Sequence, residues 1–149
     1  MSRYSGIRDF VKARLDTIAG WSFKTVPAGR AFIDRPDSYP GGTWSLDETA
    51  VIDKRAVAKQ YWRKRNVTGY VLLYGAADGS SSGNAEAVAG SGVDLVFDAL
   101  DGQIPTGMPT DTIPFPIDTD TAEPFAVDGN AFGVAIAVIC PIEWFTDMA

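Results

Sequence analysis

The segment AFGVAIAVICPIEWF (131–145) constrains the fold more than any other part of the chain. It is apolar nearly throughout and rich in β-branched residues, which predicts a strand. Strand alternation puts Phe132, Val134, Ile136, Val138 and Cys140 on one face and Gly133, Ala135 and Ala137 on the other, as far as Ile139. A strand that is apolar on both faces belongs at the centre of a sheet. The Gly/Ala face predicts a helix packed closely against it, with the large side chains filling the opposite side. Pro141 is expected to break the ladder.

A second apolar run, VTGYVLLYG (67–75), predicts another strand that Gly75 ends. The residues before it, TWSLDETAVIDKRAVAKQYWRKRN (43–66), read as mostly extended. Helical spacing appears twice. In SGIRDFVKARLDTIAG (5–20), Ile7, Phe10, Val11, Leu15 and Ile18 form one stripe, with Arg8, Asp9, Lys12 and Asp16 outward and Ser5 and Gly20 as end signals. In SGVDLVFDAL (91–100), Val93, Val96, Phe97 and Leu100 form the stripe, Ser91 and Asp94 make a capping pattern, Asp94, Asp98 and Asp101 face water, and Gly102 closes the helix. RAFID (30–34) reads as a short strand and residues 36–42 as a loop. AADGSSSGNAEAVAGSG (76–92) reads as a flexible loop or a weak helix. Residues 102–124, with five prolines, read as a functional loop or as short edge strands. The order helix, strands, helix, strand predicts one α+β domain over 1–149. Its sheet is expected to be antiparallel or mixed, with two helices packed on one face.

Composition removes much catalytic chemistry. The chain has no histidine, so Ser-His-Asp triads, Cys-His pairs and the common zinc sites are excluded. Cys140 is the single cysteine; it forms no internal disulfide and reads as a buried core residue. The glycines of 75–92 lack the Gly-Lys-Ser/Thr ending of a phosphate loop, and no lysine follows Lys64. Asp118 and Asp120 share one side of an extended segment, as a divalent-cation pair would, but the calcium-loop pattern is not completed. Solvated loop acids are the plainer reading, and no cofactor or metal is expected. No run of about 18 apolar residues predicts a membrane span, and the charged first residues predict synthesis in the cytoplasm.

Charge is divided along the chain. Residues 1–75 hold all 13 Lys and Arg against seven acids (Asp9, Asp16, Asp34, Asp37, Asp47, Glu48, Asp53), a net +6. Residues 76–149 hold the other twelve acids and no base, a net −12. The last bases are Arg63, Lys64 and Arg65, with Tyr61, Trp62 and Tyr70 nearby. Interleaved bases and aromatics can grip single-stranded nucleic acid. Against that, a net charge of −6 repels phosphate, and a strand would put Arg63 and Arg65 on one face and Lys64 on the other. A two-signed subunit instead suits head-to-tail association of copies. Its expected contact residues are Lys59, Tyr61, Trp62, Arg63, Lys64 and Arg65 on the basic side and Asp118, Asp120 and Glu123 on the acidic side. Trp144 is an aromatic anchor; a core position is the alternative for it.

The order IRDFVKARLDTIAG helix, GRAFIDRPDSYP strand and loop, long hairpin into TGYVLLYG, VDLVFDAL helix and final FGVAIAVICPIEW strand resembles the tail terminator (tail completion) proteins of long-tailed bacteriophages, the family of the lambda tail terminator. The resemblance rests on element order and size over most of the chain. It implies an α+β subunit without catalytic residues, assembled as a homo-hexameric ring in the virion tail. Such a ring ends polymerisation of the tail tube, presents a face to the head connector and neck proteins, and lets DNA pass through its lumen without specific binding. A head–tail connector or tail-tube subunit is the nearest alternative; a metal-dependent enzyme or a nucleic-acid-binding module stands further off.

Overall fold

The computed structural model describes residues 2–57, 60–75, 82–127 and 131–147. The first helix, α1 (Arg3–Leu15), begins where the Ser2 side chain accepts a hydrogen bond from the Ser5 amide. The cap is therefore Ser2 rather than Ser5. Ile7, Val11 and Leu15 are wholly buried; Ile18 follows in the turn after the helix and is buried with them. The predicted stripe is thus present, but its last member lies beyond the helical span. Arg14 Nε donates to the Ala99 carbonyl and ties this end of α1 to the second helix.

Three long strands carry the sheet: β2 (Gly41–Val57), β3 (Gln60–Tyr74) and β6 (Ala131–Asp147). Strand β1 (Ser22–Thr25) pairs parallel to the start of β2, while β2–β3 and β3–β6 are antiparallel, so the sheet is mixed. Along the other edge of β6 lie two short strands in tandem, β4 (Thr112–Pro114) opposite residues 142–144 and β5 (Asp118–Val127) opposite 131–139. The segment 102–124 is therefore partly edge strand. Pro141 does not end β6. Its carbonyl accepts from the Phe115 amide, on the side where β6 passes from β5 to β4. The missing N–H falls in that gap, so no ladder bond is lost, and pairing with β3 runs on to Gln60↔Asp147.

The second helix, α2 (Ser82–Leu100), is twice the predicted length. Ser91 is not its cap; it lies mid-helix and donates to the Val88 carbonyl. The glycines that suggest a loop serve packing instead. A Cβ on Gly92 would stand 2.7 Å from the Trp21 ring, so only glycine lets that ring lie against the helix. The helix ends where the Asp101 amide donates to Phe97 and Gly102 adopts a positive φ of 74°.

Both helices cover the same face of the sheet, as expected, but it is the face of large side chains. Ile7, Val11 and Leu15 of α1 and Val96 and Leu100 of α2 share one core with Trp44, Val67, Val71, Ile136, Val138, Cys140, Ile142 and Trp144. The Gly/Ala face of β6 looks the other way. There Ala135 joins Leu72, Tyr74, Val26 and Ala31 in a smaller cluster, with Tyr39 and Tyr70 at its margin. RAFID is not a strand. Hydrogen bonds from the Ile33 and Asp34 amides to the Arg30 carbonyl, and the Arg30–Asp34 ion pair at 2.7 Å, wind it into a turn. Thr43 Oγ1 donates to the Ala31 carbonyl and pins this turn to the outer face, leaving Phe32 and Ile33 exposed.

Candidate subunit-interaction site

Strand β3 is one continuous ribbon with two kinds of surroundings. From Val67 to Tyr74 its residues face the helices on one side and, at the far end, the 26–40 segment on the other. From Tyr61 to Asn66 every residue is half-buried. This second part, with the ends of β2 and β6 and with β4 on the far side of β6, forms an arm.

Alternation sorts the arm's side chains. Arg63 stands opposite Trp144 and Arg65 opposite Ile142, both core residues, so the two guanidiniums lie on the helix-side face. The Arg63 guanidinium lies 5.0 Å from the centre of the Tyr61 ring, two residues back on the same face. Its Nε is shut away from water and meets no hydrogen-bond acceptor among the described residues. Burial holds the Arg65 guanidinium below its ordinary pKa. Lys64 points to the outer face. It stands opposite Glu143, and its Nζ lies 5.3 Å from the centre of the Phe115 ring. The three consecutive bases therefore divide two and one between the faces. Trp62, opposite Phe145, shares the outer face with Lys64.

The acidic candidates lie on that outer face. Asp118 is paired with Ile139 and Asp120 with Ala137, both outward members of β6, and both carboxylates are exposed. Between them Thr119 turns inward, where its amide and hydroxyl both donate to Asp101 Oδ1 at the end of α2. This pair of bonds fixes β5 to the helix layer and so fixes which way its two aspartates look. Glu123 falls at the irregular step of β5 between Thr121 and Pro124. Its side chain, like Lys59, lies outside the described residues.

Trp144 is a core residue, 5% exposed, with the Arg3 guanidinium 4.8 Å from its ring centre. Arg3 also bridges to Asp111 at 2.7 Å and donates through Nε to Thr112. No sequence signal pointed to this contact, because its partners stand 108 residues apart. It closes one opposition of charge between the two halves of the chain inside a single subunit. The exposed Phe32 and Ile33 were likewise hidden by their reading as strand residues.

Catalytic features are sparse. Cys140 is buried, and burial pushes its thiol up to about 12, away from the nucleophilic thiolate. An open depression of about 360 Å³ is lined by Phe97, Asp98, Asp101 and Thr119; one carboxylate oxygen of Asp101 is already engaged by Thr119. Among the described residues no three or more Asp, Glu or Cys side chains gather where they could hold a metal ion. No helix is long and apolar enough to cross a membrane among the described residues. No protein-family model matches the chain, and no curated protein matches its sequence.

Proposed function

We propose that the protein is a structural subunit of a bacteriophage tail that assembles with copies of itself into a ring, a hexamer by the family resemblance. The ring ends growth of the tail tube and offers the next surface to the head connector and neck proteins. The role is non-catalytic and belongs to the virion tail, after assembly in the host cytoplasm. DNA passes the lumen without being read. The observation that carries this reading is the arm. Strands of 17, 15 and 17 residues are far longer than the usual five or six, and the charged and aromatic side chains of Tyr61–Arg65 are left half-buried. A surface of that kind completes its burial against another protein.

The tail-tube subunit is the second reading, favoured by the same long strands and by the edge of β2 that, among the described residues, has no strand partner beyond its pairing with β1. The two readings differ in where assembly stops. Mass measurement and electron microscopy of the purified protein at low and moderate salt separate them. Rings of one size that halt tube growth are expected. Open-ended filaments would favour the tube subunit. A strict monomer at every concentration, with tail tubes present, would overturn both.

A further inference from the structure

We infer that the edge of β2 pairs with itself: two copies of the chain join antiparallel along residues 48–54, about a two-fold axis at Val51. The contact goes beyond the ring reading, because a two-fold contact joins two copies and stops.

The edges of the sheet are not alike. On the far side, β5 and β4 carry Pro124 and Pro114, which have no N–H to offer a further strand. Strand β1 is only four residues long, and Pro27 follows soon after it. Short strands and prolines both close an edge to other chains. Strand β2 has no proline from Gly41 to Val57. Its edge is occupied as far as Asp47, where the Val26 amide donates to the Trp44 carbonyl and the Gly29 amide to Asp47 Oδ1. From Glu48 onward it has no strand partner on that side among the described residues.

The order of charge along this edge names the occupant. The segment DETAVIDKR (47–55) has two acids before Val51 and two bases at its end. Turned end for end about Val51, it sets Glu48 against Lys54 and Asp47 against Arg55, and the symmetry makes each match twice. No like charges meet. No other antiparallel register of residues 45–57 with themselves matches more than one such pair. Pairing with β3 agrees. Asp47 and Arg55 share rungs with Thr68 and Trp62, on the outer face of β3; Glu48 and Lys54 share rungs with Val67 and Arg63, on the helix side. The two irregular steps on either side of Val51 each add one residue to β2, so together they restore the alternation. Charges that meet across the axis therefore belong to one face of the joined sheet, where opposite signs stabilise and like signs oppose. The helix-covered ends of the two copies lie at opposite ends of that sheet, and an edge filled in this way is closed to tube growth.

The test is charge exchange within the strand, read by analytical ultracentrifugation. Glu48→Lys alone and Lys54→Glu alone each set like charges on both symmetric rungs. Dimer affinity should fall about tenfold or more, with the circular dichroism of the monomer unchanged. The double variant restores opposite charges in exchanged order and should recover the dimer. The two single variants, mixed, should pair with each other in preference to themselves. If a charge variant does not fold, Val51→Cys carries the test. Air oxidation should link two copies at position 51, whereas Ala56→Cys, which falls opposite Leu46, should link none; the buried Cys140 stays outside the reaction. A wild-type monomer at millimolar concentration, single variants that dimerise as wild type does, or a double variant that does not recover would overturn the contact. Protection of the 48–54 amides from hydrogen exchange only when another protein is added would overturn it too, and give the edge to that protein. Wild-type dimers that form no ring even with tail tubes present would remove the ring reading and leave this contact. Rings that form while these dimer tests fail would do the reverse.

Discussion

The two ends of β3 show how one strand can serve a core and a surface. At the Val67–Tyr74 end, Val67, Val71, Leu72, Leu73 and Tyr74 are all essentially without solvent contact. At the Tyr61–Asn66 end nothing is fully buried, yet the hydrogen-bonded pairing with β2 and β6 continues unbroken on the β6 side. Backbone pairing with β6 is thus equal at both ends, and side-chain burial is not. Stability should follow the second, because a ladder bond exchanges with water at little net gain while apolar burial drives folding.

Paired tryptophans give the sharpest way to break this comparison. Trp44→Ala empties a fully buried site under both helices and should cost about 3–5 kcal/mol in urea unfolding. Trp62→Ala on the arm's outer face should cost the isolated subunit less than about 1 kcal/mol. Equal losses would mean that the arm is as much core as the helix-covered end.

Cys140 lies where the two ends meet and reports on both. Its thiol rises from 9.0 to about 12 by burial. The folded state therefore holds the neutral thiol, and its contribution to stability is complete below pH 9. That contribution fades as pH rises from 9 towards 12, because only the unfolded chain ionises there. Unfolding free energy should fall by roughly 1.4 kcal/mol by pH 10 from this group, and Cys140→Ala should flatten that slope. Thiol reagents should label Cys140 in native protein only as fast as the chain opens.

The smallest effect tests the helix that closes the core end. Gly92→Ala drives a methyl group into the Trp21 ring and should destabilise by about 1 kcal/mol. Gly90→Ala has open space around it and should stabilise by up to about 1 kcal/mol through helix propensity. Opposite signs two residues apart, read by thermal melting, would show that contact with Trp21 decides the choice at Gly92.

Legibility in the sequence followed the same divide. The strands at 67–75 and 131–145, the stripe of α1 and the α+β class were readable because burial on a regular element imposes a period. The first half of α2 was readable only as one of two alternatives, loop or weak helix, since glycine and alanine give no period and Gly92 is explained only by a ring from residue 21. RAFID looked like a strand by composition, but an ion pair four residues apart winds it into a turn. Pro141 looked like a terminus because the gap between β4 and β5 depends on a segment more than twenty residues upstream. Within the candidate site, alternation foretold that Lys64 would part from Arg63 and Arg65. The placement of Asp118 and Asp120 on the opposite face needed the register of β5 against β6.

The arm also gives the molecule a built-in protease gauge. Every site that trypsin can cut lies at or before Arg65, so the chain from Asn66 onward is one uncleavable piece. The last three sites, Arg63 to Arg65, sit in β3 between β2 and β6, paired on both sides. Their cleavage requires the arm to open, by itself or with the whole domain. Release of the fragment that begins at Asn66, where it outpaces global unfolding, therefore measures the arm's own opening, and a neighbour seated on the arm would slow it.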